Sequence, residues 1–196
     1  MIFEISIKGS DEDDRILELT GKEKIIYFKD SVVRTEQKTK MGTVITIDNF
    51  KTKERYSYSE RDDDKVAMKM SVNDMNIVLD MSFAHLPDFE LTKETKRIAG
   101  YKCKKAIITI NAYGEHKDLV IWFTEDIALP NAPEYNIKGI KGYIMEMVFS
   151  TDERPMTIKC VWVDATPLPD HLFSVPSDYT IKSMPDLMKP AGKVGN

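Results

Sequence analysis

Residues 95–122 decide the fold: Thr95-Lys96-Arg97-Ile98-Ala99-Gly100-Tyr101-Lys102-Cys103-Lys104-Lys105-Ala106-Ile107-Ile108-Thr109-Ile110, a turn at Tyr113-Gly114-Glu115-His116, then Leu119-Val120-Ile121-Trp122. The β-branched run up to Ile110 and its continuation from Leu119 are strand-length, and a glycine lies between them. They read as an antiparallel hairpin. The stretch contains no catalytic pattern, so it speaks to architecture and not to activity.

The same grammar extends outward. Ile2 to Ile7 alternates, with Phe3, Ile5 and Ile7 on one side. After the acidic turn 9–14, Arg15 to Thr20 reads as a strand, and further strands are expected at 24–28, 32–37, 43–47 and 52–59, separated by Gly21-Lys22, Asp30-Ser31, Lys40-Met41-Gly42 and Asp48-Asn49. Val66, Met68, Met70 and Val72 share one face of the next strand. Met75, Ile77, Leu79 and Met81 repeat that pattern, with a helix over Val72 to Leu79 as the competing reading. Leu86-Pro87-Asp88 breaks the chain before Phe89 to Ile98.

Beyond Trp122, the Pro- and Gly-bearing segment Asp126 to Lys141 reads as a loop or covering segment. Tyr143 to Phe149 and Thr157 to Val163 are strands, Leu168 to Phe173 a single helical turn, and Tyr179 to Ile181 a last short strand. The expectation is mainly β (α+β): one domain over 1–189 and a disordered tail over 190–196. About ten antiparallel strands form either a closed or sandwiched barrel or a strongly curved sheet, with loop or short helices over its concave face.

Composition narrows the function classes. The 196 residues are 31% charged with mixed signs, and the net charge is −4. This excludes the clustered basic face of a nucleic-acid binder and electrostatic adhesion to anionic lipid. No apolar run approaches the roughly 20 residues of a membrane span. The start, Met1-Ile2-Phe3-Glu4, has no signal-peptide pattern, which fits either a cytosolic protein or one whose leader has been removed. Cys103 and Cys160 lack metal-ligand spacing. Paired, they would close a loop of about 58 residues, worth roughly 4 kcal/mol; unpaired, they serve as small core hydrophobes.

Candidate chemistry is sparse. His85, His116 and His171 stand far apart, each near a turn, and read as solvated loop residues. Asp11, Asp13 and Asp14 suggest a calcium loop, but the central glycine is missing and Lys22 occupies the place of the bidentate acid. No catalytic residue, metal or cofactor is expected. The one functional feature is a methionine-rich face of Met68, Met70, Met75, Met81, Met145 and Met147, joined by Tyr143. Thioether side chains adapt to ligands of variable shape, and they also fill ordinary cores. Trp122 and Trp162 fall on strands and carry the same two readings. If the sheet is open, the candidate ligand-binding set is Met68, Met70, Met81, Trp122, Tyr143, Met145, Met147 and Trp162, suited to a lipid or acyl chain.

The segment Thr95 to Ala106 resembles the K-x-I-x-G-Y-x-C-x-K-A hairpin of the GLPGLI-type envelope proteins of Bacteroidetes. Val120 to Ile127 is similar to that family's Trp-Tyr-Thr strand end. Gly139-Ile140-Lys141-Gly142-Tyr143-Ile144 stands where the Gly-Leu-Pro-Gly-Leu-Ile lies, and Phe173 to Tyr179 resembles the closing F-x-I-P-x-x-Y. Lys141 and Tyr143 depart from the family's Pro and Leu. The likeness covers mainly residues 90–185. It implies a half-barrel like the lipoprotein carriers LolA and LolB, located in the periplasm or associated with the outer membrane, and it supplies no catalytic site.

Three readings follow. The first is a non-enzymatic envelope protein holding a lipid, a lipoprotein acyl chain or another apolar ligand in the concavity. The second is an envelope scaffold or interaction module with a closed core and a protein partner. The third is a hydrolase acting through His171 or His116.

Overall fold

The computed structural model describes residues 1–7, 15, 17–19, 21–60, 65–71, 89–112, 115–128, 140–149, 155–183 and 186. Twelve strands form one open curved sheet: β1 (Ile2–Ile7), β2 (Glu23–Lys29), β3 (Val32–Thr39), β4 (Gly42–Asn49), β5 (Glu54–Ser59), β6 (Val66–Ser71), β7 (Phe89–Ile98), β8 (Tyr101–Ala112), β9 (Glu115–Thr124), β10 (Tyr143–Phe149), β11 (Met156–Trp162) and β12 (Thr180–Ser183). The spatial order is β12-β6-β5-β4-β3-β2-β1-β11-β10-β9-β8-β7. Two meanders, β1–β6 and β7–β11, therefore meet where β1 pairs antiparallel with β11, Ile5 opposite Ile158. The mainly β, curved half-barrel expectation stands and the closed barrel does not. One pairing departs from the antiparallel rule: β12 runs parallel to β6, with Thr180 opposite Val66.

Turn chemistry explains the strand ends. Ala99 and Gly100 both have positive φ, 47° and 88°, as a two-residue type I′ hairpin between β7 and β8 requires. The deciding stretch thus holds parts of three strands rather than a single hairpin. At the end of β4, the Asn49 side-chain oxygen accepts from the backbone N–H groups of Lys51 (3.1 Å) and Thr52 (3.0 Å), closing an Asx-type turn.

The strand expected over Arg15 to Thr20 is not one. Arg15 and Leu17 to Leu19 are helical. The Gly21 N–H donates to the Leu17 carbonyl at 2.7 Å with Gly21 at φ 93°, the left-handed glycine that commonly ends a helix. Lys40 N–H satisfies the Glu18 carbonyl at 3.0 Å, and Leu17 is buried.

Cross-strand register separates the two faces of the β1–β6 half. On one face, Ile45, Ile47, Tyr58 and Ala67 form a buried cluster covered by Val175 and Tyr179. The segment after β11, with its 3-10 helix Asp170–Phe173, lies against that face, and Arg34 Nη1 donates to the Leu172 carbonyl at 3.2 Å. The helical turn expected near Leu168 to Phe173 is therefore present. On the other face, Phe3, Ile26, Val33 and Cys160 join Ile98, Cys103, Trp122 and Met145 in the main cluster. A third cluster, built on Ala106, Ile108, Leu119, Ile121 and Phe123, occupies the β8–β10 region.

Cys103 and Cys160 are free thiols with no solvent exposure. Burial pushes the Cys103 thiol up to about 11 and raises Cys160 as well. Both are expected to resist Ellman's reagent at neutral pH and to titrate together on unfolding in urea. Stoichiometric labelling of the folded chain would contradict this burial. Between the ordinary thiol value of 9.0 and about 11, the unfolded Cys103 ionises and the folded one does not. Stability should therefore fall as pH rises through that window.

Some expectations lie outside the described residues: the helix-or-strand question over 72–79, the acidic turns at 11–14 and 62–64, most of the 126–141 loop, and the 190–196 tail.

Candidate functional site

A cavity of about 300 Å³ opens where the two meanders join. It is built from register. Phe3 and Ile5 on β1 face the same way as Ile26 on β2 and Ile158 on β11, because Ile5 pairs with Ile158 and Phe3 with Lys24. Met147 on β10 pairs with Ile158 and extends the wall, and Tyr143 closes one end, stacked on Phe28 with ring centroids 5.9 Å apart. Three polar side chains also reach the cavity: Lys24, Gln37 and Glu146.

Their charges are unequally compensated. Glu146 is buried and receives the Lys96 ammonium, which also lies 4.1 Å from the Trp122 ring centroid. Asp48, on the same face, is held by both guanidinium arms of Arg55, with Nη2 to Oδ2 at 2.7 Å. The Lys24 ammonium makes no hydrogen bond or ion pair with the described residues. Burial lowers its ammonium pKa first, Arg55 lowers it further, and Asp48 acts in the opposite sense.

The sequence-derived binding residues scatter around this geometry. Tyr143 and Met147 line the cavity. Met145 does not. Tyr143, Met145 and Met147 were expected to alternate onto one face, but the β9–β10 register shifts between Ile144 and Glu146, a β-bulge. Met145 is the extra residue and has 0% exposure within the main cluster. Trp122 is buried in the same cluster. Met68 and Met70 are half-buried on β6, away from the cavity, and Trp162 is 61% exposed. Met81 lies outside the described residues. Of the histidines, His171 is exposed on the 3-10 helix, His116 stands opposite Asn111 in the β8–β9 ladder, and His85 lies outside the described residues. Among the described residues no group of His, Cys, Asp or Glu could hold a metal ion, and no helix is long and apolar enough to cross a membrane. Sequence reasoning missed Phe3, Ile5, Ile26, Ile158 and the charged Lys24. Their signal was the β1 alternation, which marks a buried face but not its partner strand.

A second depression, of about 520 Å³, lies at the sheet rim between Tyr27, Lys29, Tyr101, Asp126 and Asp164.

A family model described as the N-glycanase peptide, N-terminal domain, matches residues 23–153. This chain belongs to that family. The match takes in β2 to β10, including all of the first meander except β1, a region that the GLPGLI resemblance left out. Among solved structures, the chain is similar to PNGF-II in a P21 crystal, with a TM-score of 0.48 and 16% identity over 93% of this chain and 30% of that one. PNGF-II in a C2 crystal gives a TM-score of 0.41 and 18% identity over the same shares. LprF from Mycobacterium bovis gives a TM-score of 0.41 and 11% identity, covering 91% of this chain and 90% of that one. The chain thus spans 30% of the length of the PNGF-II chains. No curated protein matches it in sequence.

Proposed function

We propose that this N-glycanase N-terminal family domain is a non-enzymatic binding domain of the cell envelope, holding a lipid, an acyl chain or another apolar ligand in the cavity at the join of the two meanders. The carrying observation is the cavity itself: about 300 Å³, walled by Phe3, Ile5, Ile26, Tyr143, Met147 and Ile158. Small-molecule sites are concave and mostly apolar with a few placed polar groups, and this one fits that description. Of the eight residues read from sequence as ligand-binding, Tyr143 and Met147 line this cavity and are the ones this reading assigns to the ligand. The envelope assignment is supported by the GLPGLI resemblance of residues 90–185.

The test is native mass spectrometry of delipidated protein, titrated with an acyl-chain probe. One probe per chain is expected in the wild type, and loss of binding in Ile158→Trp, whose larger ring fills the cavity. An unshifted apo mass at all probe concentrations would overturn the reading.

A second reading is an interaction module. It is favoured by membership of a family described as an N-terminal domain and by Trp162, a large apolar side chain standing 61% exposed at the end of β11. It predicts a partner lost in Trp162→Ala while probe binding is unchanged.

A further inference from the structure

We infer that the ligand of this cavity is a single-chain amphiphile with a carboxylate head, paired with the Lys24 ammonium, its tail running toward Met147. This rests on the apolar-ligand reading above and specifies the chemistry at one end of the site.

Lys24 enters the cavity between Phe3 and Gln37, its cross-strand neighbours on the same face. The other charges around it are neutralised. Asp48 is taken by Arg55, and Glu146 by Lys96. The cavity thus presents one cation with no ion pair of its own among the described residues, Asp48 being shared with the Arg55 that holds it, at the β2–β3 end, with the apolar walls of Ile26, Ile158 and Met147 beyond it. A half-buried ammonium without a counter-charge is unfavourable, and burial already weakens its hold on the proton. A carboxylate entering from the ligand would supply the missing charge and gain a charge-assisted hydrogen bond where water is scarce. An uncharged apolar ligand would leave that cation as it is. Volume sets the tail: about 300 Å³ lies at the lower end of ligand-pocket sizes, which suits one chain better than a multiply acylated lipid.

Dodecanoate and methyl dodecanoate separate the two levels of the argument, because they differ only in the head. Both are titrated calorimetrically, below micelle-forming concentrations, into wild type, Lys24→Met and Lys24→Arg. Dodecanoate should bind wild type one to one, at least tenfold more tightly than its ester. Lys24→Met should weaken dodecanoate at least tenfold and leave the ester unchanged. Lys24→Arg should retain dodecanoate within a few fold. Thermal melts of each variant confirm that it is folded. Equal binding of acid and ester, indifferent to Lys24→Met, would overturn the headgroup assignment while the apolar-ligand reading stands. Failure of both probes to bind folded wild type would overturn both.

Discussion

Gly142→Val is expected to lose about 4 kcal/mol of stability, enough to unfold a marginal domain of this size. Gly142 sits just before β10 at φ 146°, and a Cβ there would lie 2.2 Å from the Thr124 carbonyl oxygen and 2.7 Å from its carbon. Both obstacles are backbone, at the end of β9, so no rotamer change relieves them. Either the β9–β10 ladder opens or the chain before Tyr143 is displaced, and Tyr143 closes the cavity. Gly100→Ala is the control. Gly100 also has positive φ, 88°, but no atom lies within 4 Å of an added Cβ. Its cost is the left-handed penalty alone, about 1–2 kcal/mol. Urea unfolding of both variants separates collision from conformation. Equal losses would mean that the approach of Gly142 to Thr124 is unimportant.

The second large effect falls on Asp48. This carboxylate is 1% exposed and receives both arms of Arg55, whose side chain is 23% exposed. Asp48→Ala removes two charge-assisted hydrogen bonds and leaves the Arg55 guanidinium beside the Lys24 ammonium without the carboxylate between them. Breaking a buried pair from one side costs about 3 kcal/mol or more, because the remaining charge stays desolvated. Removing both charges is far cheaper. The double variant Asp48→Ala/Arg55→Met is therefore expected to recover most of the loss, and the coupling between the sites appears in a double-mutant cycle. Additive losses in the double variant would show that the pair is not the source of the stability. Where the variant stays folded, Asp48→Ala should tighten an anionic ligand at Lys24, since it removes a competing negative charge.

These two residues illustrate how far sequence reading reaches. The β2–β5 meander was legible because each turn carries its own chemistry and each strand alternates. The helical turn at Leu17 to Leu19 was not. Ile16, Leu17 and Leu19 fit a strand or a helix equally over so short a window, and the glycine that ends the helix also reads as a turn. The bulge at Met145 was illegible because nothing in Ile144-Met145-Glu146-Met147 marks an extra residue. β3 hid its burial in another way. Val33, Arg34 and Thr35 are consecutive and all buried, because both faces of the strand are covered. Arg34 survives there by donating to Glu36 at 2.7 Å, to the Tyr58 hydroxyl at 3.0 Å and to Leu172. Alternation predicts one wet face, so a polar residue on a doubly covered strand looks solvent-exposed until its partners are known. The methionines misled for the opposite reason. Their flexibility suits cores and ligand sites alike, and only the neighbours decide. Of the described methionines only Met147 reaches the cavity, which is made by residues brought together from β1, β2, β10 and β11, whose proximity is a matter of topology.

The pairing of β1 with β11 bears on how the chain acquires its structure. Ile2 meets Trp162, a contact spanning most of the sequence. Such distant pairings raise contact order and slow folding. On the ribosome, β1 emerges before the other strands of this sheet, and its first sheet partner to follow is β2. Its other edge stays open until β11 is made, on the order of ten seconds later at usual rates of synthesis. During that interval the alternating Phe3, Ile5 and Ile7 form an unprotected strand edge, the kind that templates aggregation. The seam that creates the cavity thus waits for β11, and only the β12–β6 ladder must follow it, so it is a place where a delayed or truncated chain is exposed to misassembly.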